Sequence, residues 1–78
     1  MTIAAIKERL LKTYTGSEVQ VSDLTGTSDH ISVTIISDMF KGVSRIQRQR
    51  MVMDVFAEEL KTGEVHALTI QAKSLEEK

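Results

Sequence analysis

The chain of 78 residues contains no cysteine, and this absence limits the chemistry that it can perform alone. Without a thiol it forms no disulfide and supplies no sulfur ligand or sulfur nucleophile, so any cysteine in its chemistry must come from a partner. The sequence also lacks an apolar run approaching the roughly 20 residues that span a membrane. No basic stretch followed by an apolar one opens the chain, so we expect no signal peptide. We therefore expect a cytoplasmic protein, or an organellar matrix protein whose transit peptide has been removed.

Neither charge nor aromatic content is high. Ten basic and eleven acidic residues give a formal net charge of −1, which argues against a broad nucleic-acid footprint. Aromatic residues make up 4% of the sequence, so little is available for stacking on bases. The length predicts one domain over residues 1–78, with residues 74–78 as a polar tail that frays or forms a short helical turn.

Hydrophobic periodicity predicts an α/β (α+β) fold with the element order α-β-β-α-β. We expect a three-stranded mixed sheet with the helices on one face. The predicted helices cover residues 2–14 and 44–61, and the predicted strands cover residues 18–23, 31–37 and 64–72. Ser44 and Gln47 fit a capping box at the start of the second helix, and Gly63 suits its C-terminal end. The predicted apolar stripe of that helix comprises Ile46, Val52, Met53, Phe56, Ala57 and Leu60.

The predicted topology brings the two histidines of the chain to one edge of the sheet. A helical crossover makes the second and third strands parallel neighbours, which start at the same end. His30 precedes the second strand and His66 lies near the start of the third. Neighbouring strands lie about 4.8 Å apart, so both imidazoles could reach one metal. The alternative is structural: His30 would bond to turn backbone and His66 would pack with its strand. Two histidines are also fewer than the three or four protein ligands of most stable metal sites.

Basic residues surround the start of the second helix, namely Lys41, Arg45, Arg48 and Arg50. Cations are locally unfavourable there, because a helix N-terminus carries partial positive charge. One interpretation is that these residues form a solvated face and pair with Asp38, Glu58 or Glu59. The other is that they form a surface that binds an anion or a partner. The slightly negative net charge favours a protein partner.

An ordered set of short motifs in this chain resembles the BolA family. The set comprises Ser28-Asp29-His30, Phe40-Lys41-Gly42, Arg48-Gln49-Arg50 and Val65-His66-Ala67-Leu68, and the resemblance covers about residues 17–74. It departs from the family in two places: Gln49 stands where the family often has histidine, and the usual C-terminal tryptophan is missing. The resemblance implies the α-β-β-α-β fold and a partnership with monothiol glutaredoxins in iron–sulfur and iron handling.

The same resemblance implies a shared [2Fe–2S] cluster. His66 matches the family's cluster ligand, and His30 is the second candidate. The other ligands would come from the cysteine of the glutaredoxin and the cysteine of glutathione. We therefore expect an isolated protein that is monomeric and free of tightly bound cofactor.

Nucleic-acid binding and catalysis are the two alternative classes of function. The element order also resembles a KH nucleic-acid-binding module, and the BolA family is linked to transcriptional regulation, so weak DNA binding is the alternative. However, the Gly-x-x-Gly loop of KH modules is missing around Gly42. An enzyme is the third class, but Ser28, Asp29 and His30 are sequence neighbours and not a triad assembled across a fold, so we expect no catalytic residues.

Overall fold

A computed structural model describes residues 2–24, 30–65 and 67–77. The helices are α1 (Ile3–Thr13), α2 (Arg45–Val55) and α3 (Ala57–Thr62), and the strands are β1 (Glu18–Asp23), β2 (His30–Ile36) and β3 (Ala67–Lys73). Short 3₁₀ turns occupy Asp38–Phe40 and Leu75–Glu77. No helix within the described ranges has the length and apolar character needed to cross a membrane.

The strands form one mixed sheet in the order β1-β2-β3. β1 and β2 are antiparallel, with Val19 opposite Ile35. β2 and β3 are parallel, and their register runs from His30 opposite Ala67 to Ile36 opposite Lys73. The predicted α-β-β-α-β order and the parallel crossover are therefore confirmed, with the second helical region divided in two.

The core lies against one face of this sheet. Ile31, Val33 and Ile35 alternate along β2 and are buried, whereas Ser32 and Thr34 between them are half-buried on the other face. The rings of Tyr14 and Phe40 pack with their centroids 5.2 Å apart. The remaining buried apolar residues come from α1, β1, α2, β3 and the connections on either side of α3, and include Ile6, Leu10, Val19, Val52, Phe56, Val65 and Ile70.

Side-chain hydroxyls cap the starts of α1 and α2, and Ser44 lies at the predicted cap position of α2. The hydroxyl of Thr2 accepts a hydrogen bond from the N–H of Ala5 (3.1 Å), and that of Ser44 accepts one from the N–H of Gln47 (3.2 Å). Each hydroxyl satisfies a backbone donor that the first helical turn leaves without a partner. Gly63 follows α3 in the left-handed conformation, with φ of 82°.

The single helix predicted over residues 44–61 is wrong, because the chain breaks at Phe56. Phe56 adopts φ −114° and ψ 23°, and its N–H donates to the carbonyl of Met53 at 3.0 Å in a tighter, 3₁₀-like turn. Its side chain is fully buried, and the Arg9 guanidinium lies 5.2 Å from its ring centroid. Arg9 also donates to the carbonyl of Val55 (3.3 Å) and the carboxylate of Glu59 (2.7 Å). These interactions secure both sides of the break from α1.

The predicted apolar stripe is also wrong at three positions, Ile46, Met53 and Ala57, which are all exposed. Ile46 is 69% exposed and Met53 is 39% exposed. The buried face of α2 instead follows Arg48 and Val52, four residues apart, and continues to Phe56. Each residue rotates a helix by about 100°, so Met53 lies well off the line that Val52 defines.

Candidate functional site

The strand starts meet at the edge that the sequence predicted. His30 is the first residue of β2, it is exposed, and its register partner is Ala67, the first residue of β3. The carbonyl of His30 accepts a hydrogen bond from the N–H of Leu24 at 2.9 Å, which ties it to the end of β1. The backbone of His30 is therefore held by the sheet while its imidazole faces solvent.

His66 lies outside the described residues, so the second half of the predicted histidine pair stays a prediction. In the chain it is joined by a peptide bond to Ala67, the register partner of His30. The structure therefore places one of the two imidazoles and the strand residue that follows the other.

The donors at this edge suit part of a metal site. Among the described residues, no group of three or more His, Asp or Glu side chains could hold a metal ion, and the sequence has no cysteine. Each neutral imidazole supplies a single nitrogen ligand. Among the described residues of this edge, His30 could supply one ligand to a metal, and any further ligands would have to come from outside the described residues.

Three of the four predicted basic residues face solvent beside the start of α2. Arg45 and Arg50 are exposed, and Lys41 forms an exposed ion pair with Glu76 (3.0 Å). Glu59, one of the carboxylates considered as a partner for these arginines, pairs instead with Arg9 of α1.

Arg48 requires a correction, because it is buried and does not belong to the exposed basic surface. It is 7% exposed, its Nε donates to the carbonyl of Val43 (2.8 Å), and its Nη1 donates to the carbonyl of Ala72 (3.1 Å). A guanidinium can satisfy carbonyls on two sides at once because its donors form a planar fork. Arg48 therefore fastens the start of α2 to the loop before it and to β3.

Gln49 makes a contact that sequence reasoning missed. Its side-chain Nε2 donates to the carbonyl of Ile70 at 2.7 Å. Gln49 stands at the position where the family resemblance led us to expect histidine, and that departure is the one signal that marked it. In this chain the amide links α2 to the outer edge of β3.

Taken together, these features define a small α/β module in which a three-stranded mixed sheet carries its helices on one face and presents a histidine at the edge where two parallel strands start. A model of the BolA-like protein family matches residues 5–77. The chain belongs to the BolA family.

Relatives agree with this assignment in sequence and in structure. BolA-like protein 1 of Mus musculus is 47% identical over 49 residues, which are 63% of this chain and 35% of that protein, so the match spans about a third of the curated relative. The structure of BolA1 from Arabidopsis thaliana superimposes with a TM-score of 0.88 at 31% identity, covering 97% of this chain and 94% of that one. The BolA domain of SufE1 from Arabidopsis thaliana gives 0.87 at 34% identity, with 97% and 94% covered.

Proposed function

We propose that this protein is a non-enzymatic adaptor that binds a monothiol glutaredoxin carrying glutathione and helps to ligate a [2Fe–2S] cluster between them. The cluster is cargo for iron–sulfur assembly, transfer or iron regulation. The observation that carries the proposal is the register of the parallel strands, in which exposed His30 lies opposite Ala67, the residue that follows His66. Membership of the BolA family supports it, because the family resemblance implies this partnership.

The chemistry of the donors suits a shared cluster. This chain offers imidazoles and no thiol, whereas a two-iron cluster needs four ligands. His66 would be the principal ligand and His30 the second candidate, with sulfur from the glutaredoxin and glutathione cysteines. Mixed histidine and cysteine ligation gives such clusters a higher reduction potential than ligation by cysteine alone.

The occurrence of the fold inside a longer protein fits an adaptor. A BolA domain forms part of SufE1 from Arabidopsis thaliana, and it superimposes on 97% of this chain. A fold that also occurs as one domain of a longer protein is compatible with an adaptor that acts through its surface.

The exposed cations beside α2 would serve as the docking surface in this proposal. Arg45, Arg50 and Lys41 face solvent, whereas Arg48 is engaged with backbone carbonyls. Exposed charges attract a complementary acidic face chiefly during encounter, and added salt weakens that attraction. Arg45→Gln with Arg50→Gln should therefore slow association with the glutaredoxin and reduce its salt dependence.

The proposal is tested by titrating the protein with a glutathione-loaded monothiol glutaredoxin that carries a [2Fe–2S] cluster, followed by visible absorption and circular dichroism. A mixed complex should give a spectrum different from that of the glutaredoxin alone. His66→Ala should abolish that spectrum, and His30→Ala should change it if His30 is a ligand. Gln20→Ala, an exposed position on β1, is the matched control. Far-UV circular dichroism checks that each variant folds.

An unchanged mixed spectrum in the double variant of His30 and His66 would refute histidine ligation. A stoichiometric cluster assembled on the isolated protein would show that no partner is needed.

Regulation through nucleic acid is the rival outcome of the same set of experiments. Binding to duplex DNA would weaken with salt, with a slope of about −0.9 in log affinity per phosphate neutralised. Tight, sequence-selective DNA binding without a glutaredoxin complex would overturn the adaptor proposal.

A further inference from the structure

The outer edge of β3 lies beside the first turns of α2. β3 is the last strand in the order β1-β2-β3. The N–H of Ser37 donates to the carbonyl of Lys73 (2.9 Å), so the backbone polar groups of Lys73 face β2. Successive residues of a strand in a parallel sheet alternate between its two edges. Ala72 and Ile70 lie one and three residues before Lys73. Because both separations are odd, the backbone N–H and C=O groups of these two residues point away from β2, toward the outer edge of the sheet.

Side chains of α2 occupy the acceptors of this edge. Gln49 donates to the carbonyl of Ile70 (2.7 Å), and Arg48 donates to the carbonyl of Ala72 (3.1 Å). The N–H groups of the same two residues point to the same side as their carbonyls. The edge therefore has two covered acceptors beside two outward donors.

A cleft of about 490 Å³ lies at this edge, lined by Arg45, Gln49, Ile70, Gln71, Ala72 and Lys73. Two of its lining residues are cations. Among the described residues, neither Arg45 nor Lys73 has a carboxylate partner, in contrast to Lys41, which pairs with Glu76. Unpaired cations beside outward backbone N–H groups make a concave surface suited to an anion.

We propose that this cleft binds the C-terminal carboxylate of a peptide. A carboxylate is planar, and a guanidinium such as that of Arg45 can bind both of its oxygens. The carbonyls of Ile70 and Ala72 are already occupied, so an added peptide strand could not form a complete ladder of hydrogen bonds with β3. A terminal carboxylate of a peptide needs only hydrogen-bond donors, and other proteins bind such a carboxylate with backbone N–H groups. The net charge of −1 disfavours a polyanion such as nucleic acid.

The cleft is separate from the histidine edge and does not rest on the proposed adaptor function. Ala67, opposite His30, and Lys73 stand at opposite ends of β3. At about 3.3 Å per residue, the six steps between them span about 20 Å. Carboxylate binding can therefore be measured on the isolated protein, without iron or a glutaredoxin, and its failure would leave the cluster proposal untouched.

The test is a titration of the isotope-labelled protein, followed by ¹⁵N–¹H NMR, with acetyl-Ala-Gly-Gly and with the same peptide carrying a C-terminal amide. The free acid should shift the amide signals of Ile70 and Ala72, and the amidated peptide should bind about tenfold more weakly. Arg45→Gln combined with Lys73→Gln should weaken binding of the free acid by about tenfold or more. Arg50→Gln is the matched control, because Arg50 is exposed on the same helix but does not line the cleft.

Several results would overturn the proposal. Equal binding of the acid and the amide would exclude carboxylate recognition without any mutation of the protein. An equal loss with Arg50→Gln would show that general positive charge, and not this cleft, attracts the peptide. The cleft would be assigned to phosphate if inorganic phosphate bound more tightly than the peptide. The same conclusion would follow if duplex DNA displaced the peptide and its binding depended equally on Arg45 and Lys73.

Discussion

Replacing Arg48 with methionine should destabilise the domain strongly, although exposed arginines on the same helix can be replaced at little cost. Methionine has a comparable length and keeps the apolar stem, but it cannot donate a hydrogen bond. The change removes the donors to the carbonyls of Val43 (2.8 Å) and Ala72 (3.1 Å). It therefore releases the start of α2 from the preceding loop and from β3 while filling most of the same space.

The expected loss follows from those two bonds. A hydrogen bond donated by a charged group contributes about 1.5–3 kcal/mol. Water can reach the carbonyl of Ala72 at the edge of the sheet, and methionine regains some apolar contact, so the net decrease in the free energy of unfolding should be about 2–3 kcal/mol. For a domain of this size that corresponds to a fall in Tm of about 10–20 °C. The free energy of unfolding of Arg48→Lys should lie between those of wild type and Arg48→Met, because lysine keeps the charge but lacks the planar set of donors of a guanidinium.

Urea unfolding followed by far-UV circular dichroism measures the effect, with Arg50→Met as the matched control. Arg50 is exposed, so its substitution should change the free energy of unfolding by no more than about 0.5 kcal/mol. Equal slopes of free energy against urea in all variants would confirm that only stability has changed. If Arg48→Met were as stable as Arg50→Met, the guanidinium would not be fastening α2 to β3.

Two further substitutions test the break between α2 and α3. The hydrogen bond from Arg9 holds the pKa of the Glu59 carboxyl below its ordinary value of 4.5. The ionised carboxylate therefore stabilises the folded state fully above pH 4.5. This stabilisation is lost as the pH falls from 4.5 through the lower pKa of the folded state. Urea midpoints should therefore fall less between pH 7 and pH 3 for Glu59→Gln than for wild type or Glu58→Gln, and parallel falls in all three would contradict the assignment. Phe56→Ala should lower the free energy of unfolding by about 3–5 kcal/mol, because the ring is fully buried. A loss below about 1 kcal/mol in the same urea assay would show that the ring does not hold the break in place.

Local patterns were sufficient to predict the elements whose residues alternate or recur without interruption. The bounds predicted for β1, residues 18–23, are those observed, because Val19 and Val21 alternate with polar residues and a Gly16-Ser17 turn precedes them. The parallel pairing of β2 with β3 followed from the crossover rule and placed the strand starts at one edge. The joint role of His30 and His66 stays a prediction.

Tertiary contacts decided the features that the sequence pattern missed. The break at Phe56 is contacted by Arg9, which is 47 positions away and lies against the ring. Nothing in residues 44–61 alone signals an interruption, since the segment contains neither glycine nor proline. Arg48 was predicted to be exposed because arginine usually is. Its burial depends on a carbonyl of β3 that periodicity within the helix cannot reveal.

The pairing of His30 with Ala67 has a consequence for how the protein folds and how it is recognised. The two residues are 37 positions apart in the chain and are joined through both helices that follow β2. Contacts between such distant positions form only after a large loop has closed, and they slow folding accordingly. The edge therefore exists only in the completed domain, so a partner that recognises it selects the folded molecule over the unfolded chain. By mass action, such a partner also protects the molecule from unfolding and from proteolysis.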